Sequence, residues 1–387
     1  MRQHAQALVA HGLEVTVLCG TGQETEPDIT VRTCSELRPD EPLPRAASKE
    51  QREGRPGESH EKLVQRFLML FEEHLSDCQT VIVHNVLTMH FNLACTEALW
   101  RWTANTRARL IHWTHDLAAI NPDYQLQPLL AQPPWYLLTR TAPRFQYVAI
   151  SETRREEWRA LIGDTTSDMP VAPNPLGITE VLPADPALRN FIEQNRILDR
   201  DLVVLHPTRV LARKNIELTL RMIAEWRRAG VDAVALITGA PDPYNAASRA
   251  YGDQLRTCIE TEGLEDAVWF VSDQVALDEA SVAALYLTAD LLFFPSRQEG
   301  FGLPVIEAAW CRTPAAVSDL PVLRELTWPG ATLNFSLDEA AGPLASRIWE
   351  WLKAQPSFQW RKMTIRRHSM HRIWTAHLQA LIMGKGM

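Results

Sequence analysis

Glu299 and Glu307 bracket the segment Glu-Gly-Phe-Gly-Leu-Pro-Val-Ile-Glu, two carboxylates eight positions apart across a glycine-rich turn. A carboxylate accepts hydrogen bonds from hydroxyls, so two of them at this separation can each hold a diol on a different part of one ligand. A hexose at Glu299 and a ribose at Glu307 fit that arrangement. The preceding run, Asp290-Leu-Leu-Phe-Phe-Pro-Ser296, reads as a short buried strand, and Pro304 suits the first turn of a helix continuing over Val305 to Cys311. Gly300, Phe301, Gly302 and Leu303 thus form a strand-to-helix turn. Ligands of open parallel sheets bind at the carboxyl ends of strands, where helix N-termini offer free N–H groups to phosphate. Val305 stands where a dinucleotide fingerprint has its third glycine, which disfavours a nicotinamide enzyme. The plainer reading is an ordinary turn of an α/β protein with a solvated helix glutamate.

A second turn carries cations. The apolar run Leu202 to His206 reads as a strand leading into Pro207-Thr-Arg-Val-Leu-Ala-Arg-Lys-Asn215, which puts Arg209 and Lys214 just before a helix beginning near Asn215. Cations at the positive end of a helix dipole are unfavourable unless an anion neutralises them, so the pair marks a phosphate site. Arg213 carries less information. One nucleotide-sugar donor accounts for both turns, with Arg209 and Lys214 on the diphosphate, and the amides of Gly302 and Leu303 beside them. Asp199-Arg-Asp201 precedes a strand and is discounted as a metal site; His112-Trp-Thr-His115 lacks the spacing of a zinc motif. No metal ligand set is expected. The strand Arg109 to Thr114 delivers His115 and Asp116 to a carboxyl end as well, where His115 either faces a ligand or simply bonds Asp116.

These turns need a scaffold, and 387 residues with 46% hydrophobic content can build two cores. After residue 200 strands and helices alternate, which specifies a doubly wound parallel sheet. The first half holds a helix at Gln3 to His11, a strand at Glu14 to Leu18, helices over Leu63 to Leu75 and Met89 to Thr103, and strands at 81–83 and 147–150. Arg38 to His60, with four prolines and two glycines, reads as a loop, and 170–175 as the interdomain linker. Net charge −8 argues against a nucleic-acid partner. Six scattered cysteines, the lack of a signal pattern and the lack of an apolar run near about 18 residues lead to a cytoplasmic expectation. Basic residues from Arg361 to Arg372, interleaved with Trp360, Met363 and Trp374, read as an amphipathic helix packed on its own protein, with weak peripheral membrane contact left open.

Glu299 to Glu307, Arg209 with Lys214, His115-Asp116 and residues 316–325 together resemble glycosyltransferase family 4, retaining enzymes with two facing Rossmann-like domains, the GT-B fold. The resemblance implies an acceptor-side domain over 1–175 completed by a C-terminal helix over 358–387, and a nucleotide-sugar domain over 186–357. It implies a hexose moved from a nucleotide-diphosphate sugar to a hydroxyl acceptor, without metal or other cofactor. The acceptor is open among saccharides, lipid carriers and small metabolites. His115 and Asp116 would face the donor sugar, Glu299 the hexose and Glu307 the ribose. Members of the family begin with a strand and a glycine-rich turn ahead of the helix at which this sequence starts. The expectation is that upstream codons supply that strand; the alternative is a nucleotide-sugar-binding protein or degenerate subunit without turnover.

Overall fold

The computed structural model describes all residues except 24–27, 55, 165, 167, 178, 241–243 and 385–387. It divides into two compact units, Met1–Leu176 with Met370–Met387, and Gly177–Ser369.

In the first unit β1 (Val15–Cys19) pairs with β2 (Ile29–Thr33) in a two-stranded parallel sheet, and β3 (Thr80–His84), β4 (Arg109–Thr114) and β5 (Phe145–Ala149) form a second parallel sheet. Five of the six residues of β4 are buried, as expected of a strand covered on both faces. Ala7 of the helix Arg2–Ala10 packs with Ile111, Trp113 and Val148, joined by Ile373, Trp374 and Leu378 of the returning tail. His11 stacks on Trp374 with ring centroids 3.8 Å apart.

Two expectations fail in this unit. The stretch read as a loop is largely helical: Pro42–Arg52 forms one helix and Glu58–Leu75 the next. Proline is tolerated in a first helical turn, where its missing N–H has no partner to lose, and Pro44, Ala47 and Gln51 then turn inward. Gln51 meets the His60 ring at 2.8 Å, joining the two helices. The presumed linker also begins too early. Ala149 donates to the Pro170 carbonyl and Ala172 to the Ala149 carbonyl, so this chain runs beside β5, and Ala172 is buried.

The second unit is a six-stranded, fully parallel sheet in the order β11-β10-β9-β6-β7-β8. Its strands are β6 (Leu202–His206), β7 (Ala233–Ile237), β8 (Val268–Phe270), β9 (Leu291–Phe294), β10 (Ala315–Ser318) and β11 (Thr332–Phe335). Every residue of β6, β7, β9 and β10 is buried. The helix Ile216–Arg228 packs with Ala246–Glu262 and Ala341–Lys353, and Glu279–Thr288 with Leu303–Trp310. Strand order reverses between β6 and β9, the switch point where such sheets open a crevice for ligands.

The tail expected as one piece over 358–387 divides at Ser369. Asp290, 3% exposed, is the reason. A carboxylate in that position must be compensated, and Lys362 Nζ lies 2.5 Å from it, with Arg361 at 3.7 Å. Phe358 joins the same core, so the helix Pro356–His368 is held on the second unit. Arg366 pairs with Asp201 at 2.9 Å. Much of the basic patch is therefore engaged internally. Among the described residues no helix is long and apolar enough to cross a membrane.

Candidate functional site

β6 and β9 are parallel neighbours, so the turns that follow them leave the sheet at the same edge. The first turn starts at Pro207 and is shaped by Gly239, after β7. A Cβ there would stand 2.2 Å from the Thr208 carbonyl oxygen, so only glycine lets the two loops touch. Thr208 also donates its N–H to Thr238 Oγ1 at 2.9 Å. Arg209 is exposed on this loop. A single 3-10 turn, Ala212–Lys214, leads to Asn215, whose φ of 57° reverses the chain into the helix Ile216–Arg228. Asn, like Gly, enters this left-handed region at low cost.

Asn215 ties this loop to the turn after β9. Its Nδ2 donates to the Pro295 carbonyl at 3.1 Å, while its Oδ1 accepts from Arg297 at 2.9 Å. The Arg297 N–H donates to the Arg213 carbonyl at 2.8 Å. Arg297 further reaches Glu217 at 3.0 Å, and Glu217 accepts the hydroxyl of Tyr251. With these braces in place, Lys214 Nζ lies 2.5 Å from Glu299 Oε1, and the two side chains are 12% and 8% exposed. Arg213 approaches Glu299 Oε2 at 3.8 Å. Lys214 also stands 5.2 Å from the centre of the Phe294 ring. The sequence reading assigned Lys214 and Glu299 to different parts of a donor; in the structure they are each other's partners.

Gly302 has φ of 105° and caps the helix Leu303–Trp310, with Pro304 in its first turn. Its missing Cβ would lie 2.5 Å from Leu323 Cδ2, so the glycine serves both the turn and the packing beneath it. Gly300 faces open space, and Phe301 and Leu303 are exposed. Glu307, one helical turn further, accepts a hydrogen bond from the Tyr286 hydroxyl at 2.6 Å. Below the loop, His206 is fully buried with Nδ1 2.8 Å from Thr219 Oγ1. Burial, and then the Lys214 ammonium, push its pKa down to about 3.

His115 and Asp116 follow β4 in the first unit. Asn85, at φ 59°, accepts both their backbone N–H groups on Oδ1, at 2.9 and 2.8 Å. The His115 ring lies 3.4 Å from His84 Nδ1 and 3.5 Å from Asn174 Nδ2. Asp116 does not hold the ring; it pairs with Arg154 at 3.7 Å. Burial lowers the His115 pKa, the Met1 ammonium adds to this, and Asp116 opposes it. His112 is turned inward: its Nε2 accepts the Leu87 N–H at 3.2 Å and its Nδ1 faces Thr114 Oγ1 at 3.0 Å.

Sequence reasoning missed Asn215, Gly239, Tyr286, Arg297, Asn85 and His84. A glycine just past a strand and an asparagine just before a helix are readable signals for Gly239 and Asn215. Tyr286 leaves none, since it reaches Glu307 from another helix, 21 positions upstream.

Two neighbouring turns of a parallel sheet, one carrying cations and one carrying Glu299 and Glu307 around a helix N-terminus, lie at the same edge of an α/β domain. Residues 189–366, almost the whole second unit, match the model of the family described as glycosyl transferases group 1. The chain is 23% identical over 269 residues to a mannosylglucosylglycerate synthase of Petrotoga mobilis, covering 65% of this chain and 62% of that protein. It is 29% identical over 183 residues to a D-inositol 3-phosphate glycosyltransferase of Kineococcus radiotolerans, covering 46% and 40%. The matched region therefore spans less than two thirds of either relative's length. Among solved structures, a sucrose-phosphate synthase from Thermosynechococcus elongatus aligns over 98% of this chain and 88% of its own, at 19% identity and a TM-score of 0.38.

Proposed function

We propose that this protein is a retaining, metal-independent glycosyltransferase that moves a hexose from a nucleoside-diphosphate sugar to a hydroxyl acceptor. The observation that carries the reading is the Lys214–Glu299 pair, 2.5 Å apart at the edge where β6 and β9 end, within a glycosyl transferases group 1 domain. Arg209 and Lys214, with the free N–H groups of the helix Leu303–Trp310, take the diphosphate. Glu299 accepts from hexose hydroxyls and Glu307 from the ribose. The bond between the anomeric carbon and the β-phosphate oxygen breaks as the acceptor oxygen bonds that carbon on the same face. The acceptor proton passes to the departing phosphate, so nucleoside diphosphate and glycoside are the products. Charge developing on the leaving group is met by fixed cations and amides, the largest kind of contribution such a site can make. Asp199 and Asp201, the one Asp-x-Asp doublet of the sequence, are engaged by Ser369 at 2.8 Å and Arg366 at 2.9 Å. His115 and Asp116 are proposed as sugar-contacting residues.

The cytoplasm is the proposed compartment, supported by six free cysteines. Any membrane contact would rest on Arg367 beside the exposed Trp360 and Met363. The test incubates the protein with UDP-glucose and GDP-mannose, with and without EDTA, and a panel of saccharide, polyprenyl-phosphate and polyol acceptors. Release of nucleoside diphosphate unaffected by EDTA, with the donor's anomeric configuration kept in the product by NMR, is the expected result. Binding of nucleotide sugar with no release from any pairing would favour a sensor or partner subunit instead.

A further inference from the structure

Glu307 lies on the exposed surface of the helix Leu303–Trp310, where a carboxylate on a flexible side chain ordinarily samples several rotamers. Here it does not have that freedom. The Tyr286 hydroxyl donates to Glu307 Oε2 at 2.6 Å, a short charge-assisted bond. Tyr286 belongs to the helix Glu279–Thr288, is 1% exposed, and is fixed along its length. Its backbone carbonyl also accepts the Thr313 hydroxyl at 2.8 Å, which anchors the chain just past the helix Leu303–Trp310 to the same residue. The phenol is thus a rigid donor on one side of the carboxylate, and Glu307 Oε1 is left on the other.

We infer that Tyr286 is a positioning residue: it holds the Glu307 carboxylate in one rotamer so that its outer oxygen is preset for a ribose hydroxyl, and so sets the preference for ribonucleotide over deoxyribonucleotide donors. The inference rests on the reading of Glu307 as the ribose ligand. Pre-organisation of this kind contributes by removing the ordering cost at binding, without any contact between Tyr286 and the ligand. Burial, and then the neighbouring carboxylate, push the phenol's pKa up, so the hydroxyl keeps its proton and donates.

The experiment measures binding of UDP, GDP and their 2′-deoxy and 3′-deoxy counterparts by calorimetry, to the wild-type chain, Tyr286→Phe and Glu307→Gln. Wild type should prefer at least one ribonucleotide over its deoxy counterpart by tenfold or more. Tyr286→Phe should lose most of that ratio, with affinity for the ribonucleotide about tenfold weaker and affinity for the deoxy form little changed. A merely structural tyrosine would weaken both ligands alike and leave the ratio where it was. In Glu307→Gln the amide oxygen should stay on the Tyr286 hydroxyl and turn its NH2 outward, so this variant should also lose the ratio. That second variant keeps the test decisive if Tyr286→Phe does not fold. Equal binding of ribo and deoxy forms by the wild type would overturn the assignment of Glu307 to ribose. A wild-type ratio retained in Tyr286→Phe but lost in Glu307→Gln would overturn the role of Tyr286 alone, and a ratio retained in Glu307→Gln would overturn the assignment of Glu307 to ribose.

Discussion

If Lys214 is held by Glu299 until a phosphate takes it, Glu299→Gln should change nucleotide binding and turnover in opposite directions. The pair lies at 2.5 Å with side chains only 8% and 12% exposed, so salt screens it little. A hydrogen bond to a charged group contributes about 1.5–3 kcal/mol net, and a neutral acceptor about 0.5–1.5 kcal/mol. Glutamine keeps the shape and an acceptor oxygen but not the charge, so its hold on Lys214 should be weaker by about 1.5 kcal/mol, close to tenfold in an equilibrium constant. UDP or GDP, which carry the phosphates but no hexose, should therefore bind the variant about tenfold more tightly. The sugar nucleotide loses its charged hexose acceptor in the same variant. Its kcat/KM should fall by about ten- to a hundredfold, the kinetic equivalent of about 1.5–3 kcal/mol. Calorimetry with the free nucleotide and a coupled assay for nucleoside diphosphate release measure the two arms. Unchanged or weaker UDP and GDP binding by Glu299→Gln would refute the idea that the pair guards the phosphate site.

Gly239→Ala should shift the Arg209 loop, because the added Cβ meets the Thr208 carbonyl at 2.2 Å; a loss of about 1–3 kcal/mol in stability and weaker nucleotide binding are expected, and wild-type affinity in calorimetry would count against it. Asp290→Asn leaves Lys362 buried without its charge partner and should cost the second unit about 3–5 kcal/mol in urea unfolding. Adding Lys362→Met should recover much of that loss, and a double variant as unstable as Asp290→Asn would contradict the account. Acid should act unevenly on the two units. Burial holds His4 at about 3, His84 at about 2 and His112 at about 3 in the first unit, and His206 at about 3 in the second. Below about pH 6.5 the unfolded chain binds protons that these folded histidines refuse, so their contribution is complete above that pH and is lost as pH falls toward 3. Each accounts for up to about 1.4 kcal/mol per pH unit. His90, His115 and His377, also lowered by burial, lie in the first unit too, so between pH 6.5 and 5 that unit should lose stability at least about three times as steeply as the second, and parallel calorimetric transitions would disprove this.

How far the site was readable before folding depended on whether its parts were local. Glu299, Gly302, Pro304 and Glu307 lie in one segment, and each has a conformational or chemical reason to be where it is, so the strand, turn and helix followed directly. Arg209 and Lys214 were readable for the same reason, being stranded cations ahead of a helix. The braces were not. Asn215 meets Pro295 and Arg297 across 80 and 82 positions, and no spacing rule connects residues on adjacent strands of a sheet whose order is unknown. The fold shows the same division. The apolar runs of β6, β7 and β9 specify buried parallel strands outright, whereas β2 and β11 are edge strands with mixed burial and carry little pattern. The segment 38–60 failed for a different reason: prolines that start helices and prolines that break them look alike until the partners of Pro44, Ala47 and Gln51 are known.

The non-local contacts also change what the local motif means. Read alone, the two glutamates are equivalent acceptors awaiting two diols. In the structure they are held differently: Glu299 is nearly buried and neutralised by Lys214, while Glu307 is exposed and aimed by Tyr286. If Glu299 takes the hexose as proposed, it accepts at full strength only once the paired cation moves, which would make hexose recognition conditional on phosphate binding at Lys214. Ribose recognition at Glu307, on the same proposal, would carry no such condition. The donor's nucleotide end should therefore be read before its sugar end, which makes free nucleoside diphosphate a tight competitor of the sugar nucleotide and a free hexose a poor ligand. Saturation-transfer NMR with glucose or mannose, alone and then with UDP or GDP present, checks that order. Hexose contact appearing only with the nucleotide is the expected result, and equal contact without it would show that Glu299 acts independently of Lys214.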